Sequence, residues 1–94
     1  MGRKSLAESF YDSIEDDEPK EISTWVVLYD FHGIKPNSRF WYNLKRLAKL
    51  AGDGSLIQYS VFMTGTKRGA QTAVKLAEHY GAEVLLFRGE MVSR

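Results

Sequence analysis

The chain has no cysteine. That excludes a disulfide framework and any thiolate metal site, and it suits an intracellular, cytoplasmic protein. No apolar run approaches the ~20 residues needed to span a membrane, so no membrane association is expected. The first residues lack the apolar core of a secretory signal, and none is expected. There is no phosphate-binding loop of the Walker type, since Gly65-Thr66-Lys67-Arg68-Gly69 lacks its spacing. His32 and His79 have no partner at metal-ligand spacing, and no Ser–His–Asp relay is visible. What remains is 94 residues with a net charge of +1, one small domain that buries only about 60% of its unfolded surface. A partner subunit would add to that burial.

The charge is unevenly spread. Residues 1–23 carry three basic residues (Arg3, Lys4, Lys20) against seven acidic ones, whereas residues 24–94 carry ten basic against five acidic. An acidic arm is therefore attached to a basic body, and the two are read as the domain division, 1–23 and 24–94. Glu15-Asp16-Asp17-Glu18-Pro19 has the composition of a segment that cannot bury enough to order itself, so the arm is expected to be mostly disordered. Leu6, Ala7, Phe10, Tyr11 and Ile14 recur at helical spacing, which leaves a short docked helix as the alternative. Folded back, its acids would cover basic surface.

The body is organised around Trp25-Val26-Val27-Leu28-Tyr29-Asp30-Phe31. The unbroken apolar run predicts a central strand buried on both sides. Asp30 ends it, as either the cap of a turn before Gly33 or a metal ligand at the mouth of the sheet. Gly33 and Pro36 mark a loop, with Asn37 or Ser38 as N-cap. Phe40, Leu44, Leu47, Ala48 and Ala51 then form one stripe of a helix stopped by Gly52. Its outer side carries Arg39, Tyr42, Arg46 and Lys49, with Lys45 nearby and no acid. Trp41 and Tyr42 on such a helix either stack on bases or are partly buried.

Ser55 to Thr64 alternates with period two and is long for so small a domain. It is one bent strand, or two meeting near Gln58–Ser60. At Gly65–Gly69, Thr66 caps a second helix or its turn holds one phosphate. That helix runs to about Tyr80 on a stripe of Ala70, Ala73, Val74 and Ala77, with His79 favoured by the helix dipole near its end. Glu83 to Arg88 reads as a further, largely buried strand, with Gly89 to Val92 as a tail. The order predicts an α+β, ferredoxin-like βαββαβ sandwich, an antiparallel sheet with two helices on one face. A three-stranded parallel sheet is the alternative.

Tyr29-Asp30 closing the first strand, and Gln58-Tyr59-Ser60-Val61-Phe62 in the second, resemble the small CRISPR-associated protein of the spacer-acquisition machinery, the second of its two universal subunits. The virulence-associated protein D toxins share that fold. The resemblance covers about Trp25 to Phe87, and the Gln-Tyr-Ser-Val-Phe run is its more specific part. It implies a homodimer in which Asp30 of each chain faces the other across a two-fold axis. It implies a shared Mg²⁺, cleavage of RNA or double-stranded DNA, and alternatively a non-catalytic role bridging an integrase subunit. By the same resemblance Asp30 is the metal ligand and catalytic carboxylate, Ser60 helps position phosphate, and Phe62 packs in the core or dimer seam. The chain departs from the family in the stretch before its first strand, in Phe31-His32-Gly33 after Asp30, and in Met63 where an acid is usual. The basic residues Arg39, Arg46, Lys49, Lys67 and Arg68 are the expected nucleic-acid contacts, gripping phosphates through charge.

Overall fold

Alternation of burial along one strand sets the layers. In β1 (Thr24–Asp30) Trp25, Val27 and Tyr29 are buried and the residues between them are only half-buried. A computed structural model describes residues 4–14, 23–52, 55–58 (backbone only), 60–90 and 92. The body elements are β1, α2 (Ser38–Ala51), β2 (Ser55–Gln58), β3 (Val61–Thr64), α3 (Lys67–His79) and β4 (Glu83–Gly89), preceded by α1 (Leu6–Ser13). The sheet order is β2-β3-β1-β4, with every neighbouring pair antiparallel. This is the ferredoxin-like sandwich. The run 55–64 is two strands, and their pairing carries a register irregularity between Leu56 and Gln58.

Local chemistry explains each helix. Asn37 accepts the Arg39 N–H at 2.8 Å and so caps α2. Gly52, at φ 84°, closes it in the left-handed conformation that glycine adopts without strain. Thr66 caps α3 by accepting from Gly69 N–H at 3.1 Å. Phe40, Leu44 and Leu47 of α2 meet Ala70, Ala73, Leu76 and Ala77 of α3 and the inward side chains Val27 and Phe62 in one core. Small residues on α3 let the two helices approach closely. A Cβ added at Gly69 would lie 3.1 Å from Ala51 Cβ and 2.7 Å from Thr66 Oγ1.

Three sequence expectations are corrected. First, residues 4–14 are not a disordered arm. α1 is capped by Ser5, whose hydroxyl accepts from Glu8 N–H at 3.1 Å. It lies on α2 and α3, with Ala7 fully buried between them. The acidic run that argued for disorder sits at residues 15–18, and residues 15–22 lie outside the described residues. Second, β1 is central but buried on one side only, because the three helices among the described residues lie on the same side of the sheet. Third, β4 is not largely buried. It is an edge strand, and Leu85 and Phe87 are 61% and 52% exposed. β4 ends at Gly89; of the tail expected over Gly89 to Val92, Glu90 and Val92 are not in a strand and Met91 lies outside the described residues.

Candidate functional site

β1 runs its polar end out of the core. Asp30 pairs across the sheet with Glu83, the first residue of β4. Side chains directly opposite on an antiparallel pair share a face. Parity therefore puts Asp30, Leu28 and Val26 on the open side of the sheet, together with Val61 and Met63 of β3 and Leu85 and Phe87 of β4. The face is apolar over its middle and acidic at one end.

A cavity of about 350 Å³ opens at that end, lined by Leu28, Tyr29, Asp30, Ser60, Glu83, Val84 and Leu85. Its rim is held by backbone bonding, since Tyr29 N–H donates to the Ser60 carbonyl at 3.0 Å. The Asp30 side chain is 69% exposed. Its Oδ1 accepts the His32 N–H at 2.7 Å, the turn-capping geometry. His32, at φ 55°, then sends Nε2 to within 3.1 Å of Glu83 Oε1 while Nδ1 is 3.6 Å from Asp30 Oδ2. The turn-capping account of Asp30 is met by one oxygen, and the residue also lines the cavity.

Behind it the floor is aromatic. Tyr29 packs edge-on to Phe31, Phe40 and Trp41, at centroid distances of 6.2, 5.2 and 6.4 Å. Its hydroxyl is buried without a hydrogen-bond partner among the described residues. Burial pushes that phenol well above the usual tyrosine range. Trp41 is half-buried in this cluster, whereas Tyr42 is exposed. Phe62 is in the core.

The basic residues are not gathered around Asp30. Arg39 opens α2 near the Asp30 end of the sheet, seven residues of loop after β1. Lys67 and Arg68 open α3 after Thr64, which pairs with Trp25. Five residue steps along the strand separate Trp25 from Asp30, about 17 Å. Lys49 in the last turn of α2 lies toward the Trp25 end as well. Asp30 and Ser60 are therefore brought together, while Lys49, Lys67 and Arg68 are carried to the opposite end. Arg39, Lys45, Arg46 and Lys49 are exposed on α2; Lys67 and Arg68 are half-buried.

Sequence reading missed Glu83. Its signal was available: in a ferredoxin-like order the last strand pairs antiparallel with the first, which sets the start of one beside the end of the other. The same reading anticipated that a folded-back arm would set its acids on basic surface, but not which residues meet, Glu8 with Arg46 and Tyr11 and Asp12 with Arg68. No family model, curated protein or solved structure matches the chain.

Proposed function

We propose that the protein is a homodimeric, metal-dependent endonuclease of RNA or double-stranded DNA, of the kind used in CRISPR spacer acquisition or derived from it, acting in the cytoplasm. The observation that carries the reading is that Asp30 lies on the open apolar face of the sheet. Exposed apolar faces of this kind are characteristic of interaction sites. Two chains joined through that face cover Leu85 and Phe87, and each contributes its Asp30 to the same interface. Two carboxylates drawn together repel unless protonated or bridged by a cation.

The donor set suits a hard ion. Asp30 and Glu83 offer oxygen, as Mg²⁺ prefers. One chain alone offers too few, since no group of three or more His, Asp or Glu able to hold a metal occurs among the described residues. Asp30 of both chains would hold it. Once bound, the ion supplies charge stabilisation at the phosphodiester and an activated water. The chain's own residues do the rest. Ser60, on the same cavity, donates its hydroxyl to a phosphate oxygen. The apolar face excludes bulk water from the seam. Arg39, near the Asp30 end, holds the substrate backbone closest to the cavity, and Arg46, Lys49, Lys67 and Arg68, on the helical side, hold a stretch of it away from the cut, through charge.

Light scattering and cleavage of labelled RNA and duplex DNA test this together. The expected result is a dimer that cuts with Mg²⁺, and an Asp30→Asn dimer that does not. A monomer, or equal cutting by both proteins, sinks it. One observation favours a second reading, a non-catalytic dimeric nucleic-acid-binding or assembly subunit alongside an integrase. Asp30 Oδ1 is already engaged by the His32 N–H. Mg²⁺-independent, salt-sensitive binding without cutting is the signature of that reading.

A further inference from the structure

α1 sits on two of the arginines assigned above to phosphate. Arg46 Nε donates to Glu8 Oε1 at 3.1 Å. Arg68 is held three ways: its Nε donates to the Tyr11 carbonyl at 2.8 Å, its guanidinium lies 3.9 Å over the Tyr11 ring, and its terminal nitrogen is 3.8 Å from Asp12 Oδ1. The Arg68 side chain is left only 21% exposed. Lys45, Lys49 and Lys67 differ, forming no ion pair among the described residues. The acidic helix thus engages two of the three assigned arginines, residues best shaped for bidentate phosphate binding, and leaves those three lysines without an ion pair among the described residues.

The hold is specific but light. Eight residues are fewer than a helix needs to stand alone in water. Only Ala7 of α1 is buried, and its N–H, one of the first-turn donors without a helical partner, donates to Asn43 Oδ1 at 2.8 Å. Leu6, Phe10 and Tyr11 are only half-buried against the core. Tyr11 and Asp12 meet Arg68, and the charge pairs of Glu8 and Asp12 are partly exposed, each contributing little. Glu8 meets Arg46 through one nitrogen only, where a phosphate would accept two bonds from the same fork. A polyanion therefore offers Arg46 more than α1 does, while Arg68 must give up its contacts to Tyr11 and Asp12 to bind one.

We infer that α1 is an autoinhibitory latch: docked, it occupies Arg46 and Arg68, and nucleic acid must displace it to use them. This rests on the nucleic-acid reading above, in either its catalytic or its binding form. It adds that affinity is set by the docking of α1 and not only by the count of basic residues.

The test uses the full chain and a short DNA duplex as probe. Two variants undock α1 by different means. Glu8→Gln with Asp12→Asn removes the competing charges, and Ala7→Gln forces a larger polar group into a fully buried position with no change of charge. Both are expected to bind the duplex roughly three- to tenfold more tightly than the unaltered protein. Hydrogen exchange at the Ala7 amide reports docking directly and should quicken in the unaltered protein when duplex is saturating. Binding by all three proteins with equal affinity, or an Ala7 amide that stays protected in the complex, overturns the latch and leaves the nucleic-acid reading intact. No binding by any of the three overturns both.

Discussion

The backbone N–H of Ala7 and the side-chain oxygen of Asn43 meet at 2.8 Å across 36 residues of chain. Asn43 is buried, and its amide nitrogen donates in turn to the Arg39 carbonyl at 2.8 Å. One asparagine thus fastens the N-terminal helix to α2 while satisfying its own polar atoms. Removing it leaves the Ala7 donor and the Arg39 carbonyl without that partner, at a cost of about 1–3 kcal/mol. Asn43→Ala should lower the urea midpoint accordingly and abolish slow exchange at the Ala7 amide, while the β1 amides remain protected.

Acid should release α1 before it unfolds the body. The Arg46 hydrogen bond holds Glu8 below the usual carboxylate range, and the Lys4 hydrogen bond does the same for Asp12. Lys4 is raised in return, chiefly by Asp12. Depressed carboxylates stabilise docking above their unfolded pKa and lose that contribution as pH falls through the folded value. The Lys4–Asp12 pair lies within the N-terminal segment and steadies α1 itself, and the raised lysine gives up its share only in strong base. Arg46, Arg68, Lys75 and the edge-on ring of His79 also face the helix. Docking, followed by the Ala7 amide or the Tyr11 ring resonances, should persist at neutral pH and fade below about pH 4.

The seam between α2 and α3 tolerates no added methyl at Gly69. A Cβ there would meet Thr66 Oγ1 at 2.7 Å, disturbing the hydroxyl that caps α3, and Ala51 from the facing helix at 3.1 Å. Although alanine is the better helix former, Gly69→Ala should destabilise by about 1–3 kcal/mol in chemical denaturation. A stabilised variant would show that the helices part without cost.

Truncation of the inward aromatics should cost more. Phe40→Ala and Phe62→Ala each empty a fully buried site, and each should lose about 3–5 kcal/mol. Differential scanning calorimetry checks both.

Charges placed on the open sheet face should separate association from folding. Leu85→Asp with Phe87→Asp alters side chains already exposed in the single chain, so the thermal midpoint of an isolated chain should move little. If copies pair there, the variant should run as a monomer in sizing by light scattering and lose any dimer-dependent cleavage.

Much of this was legible in the residues. Phe40, Leu44 and Leu47 recur at helical spacing, and Asn37 and Gly52 bracket them, so α2 could be drawn almost to the residue. The length of the alternation in 55–64 left one bent strand or two meeting near Gln58–Ser60 as alternatives, and the second is what forms. What was hidden depends on neighbours distant in the chain. Nothing within Val84-Leu85-Leu86-Phe87 says that the strand lies at an edge, because an apolar run looks alike whether covered by helices or left bare. Nor could the spacing of Leu6, Ala7 and Phe10 decide alone whether a short helix docks; Asn43 and Arg68 decide it, from other elements. The Asp30 cavity was half visible: Asp30 and Ser60 were found, and Glu83 needed the β1–β4 register.

The three helices all lie on one side of the sheet, leaving the two sides of the molecule dependent on opposite forces. Adding sodium sulfate screens the carboxylate–guanidinium ties of the helical side and strengthens association of the bare aliphatic side. If copies pair through that side, a single titration with the salt should therefore loosen the N-terminal segment while driving them together, so that fraying and association rise in step instead of opposing each other.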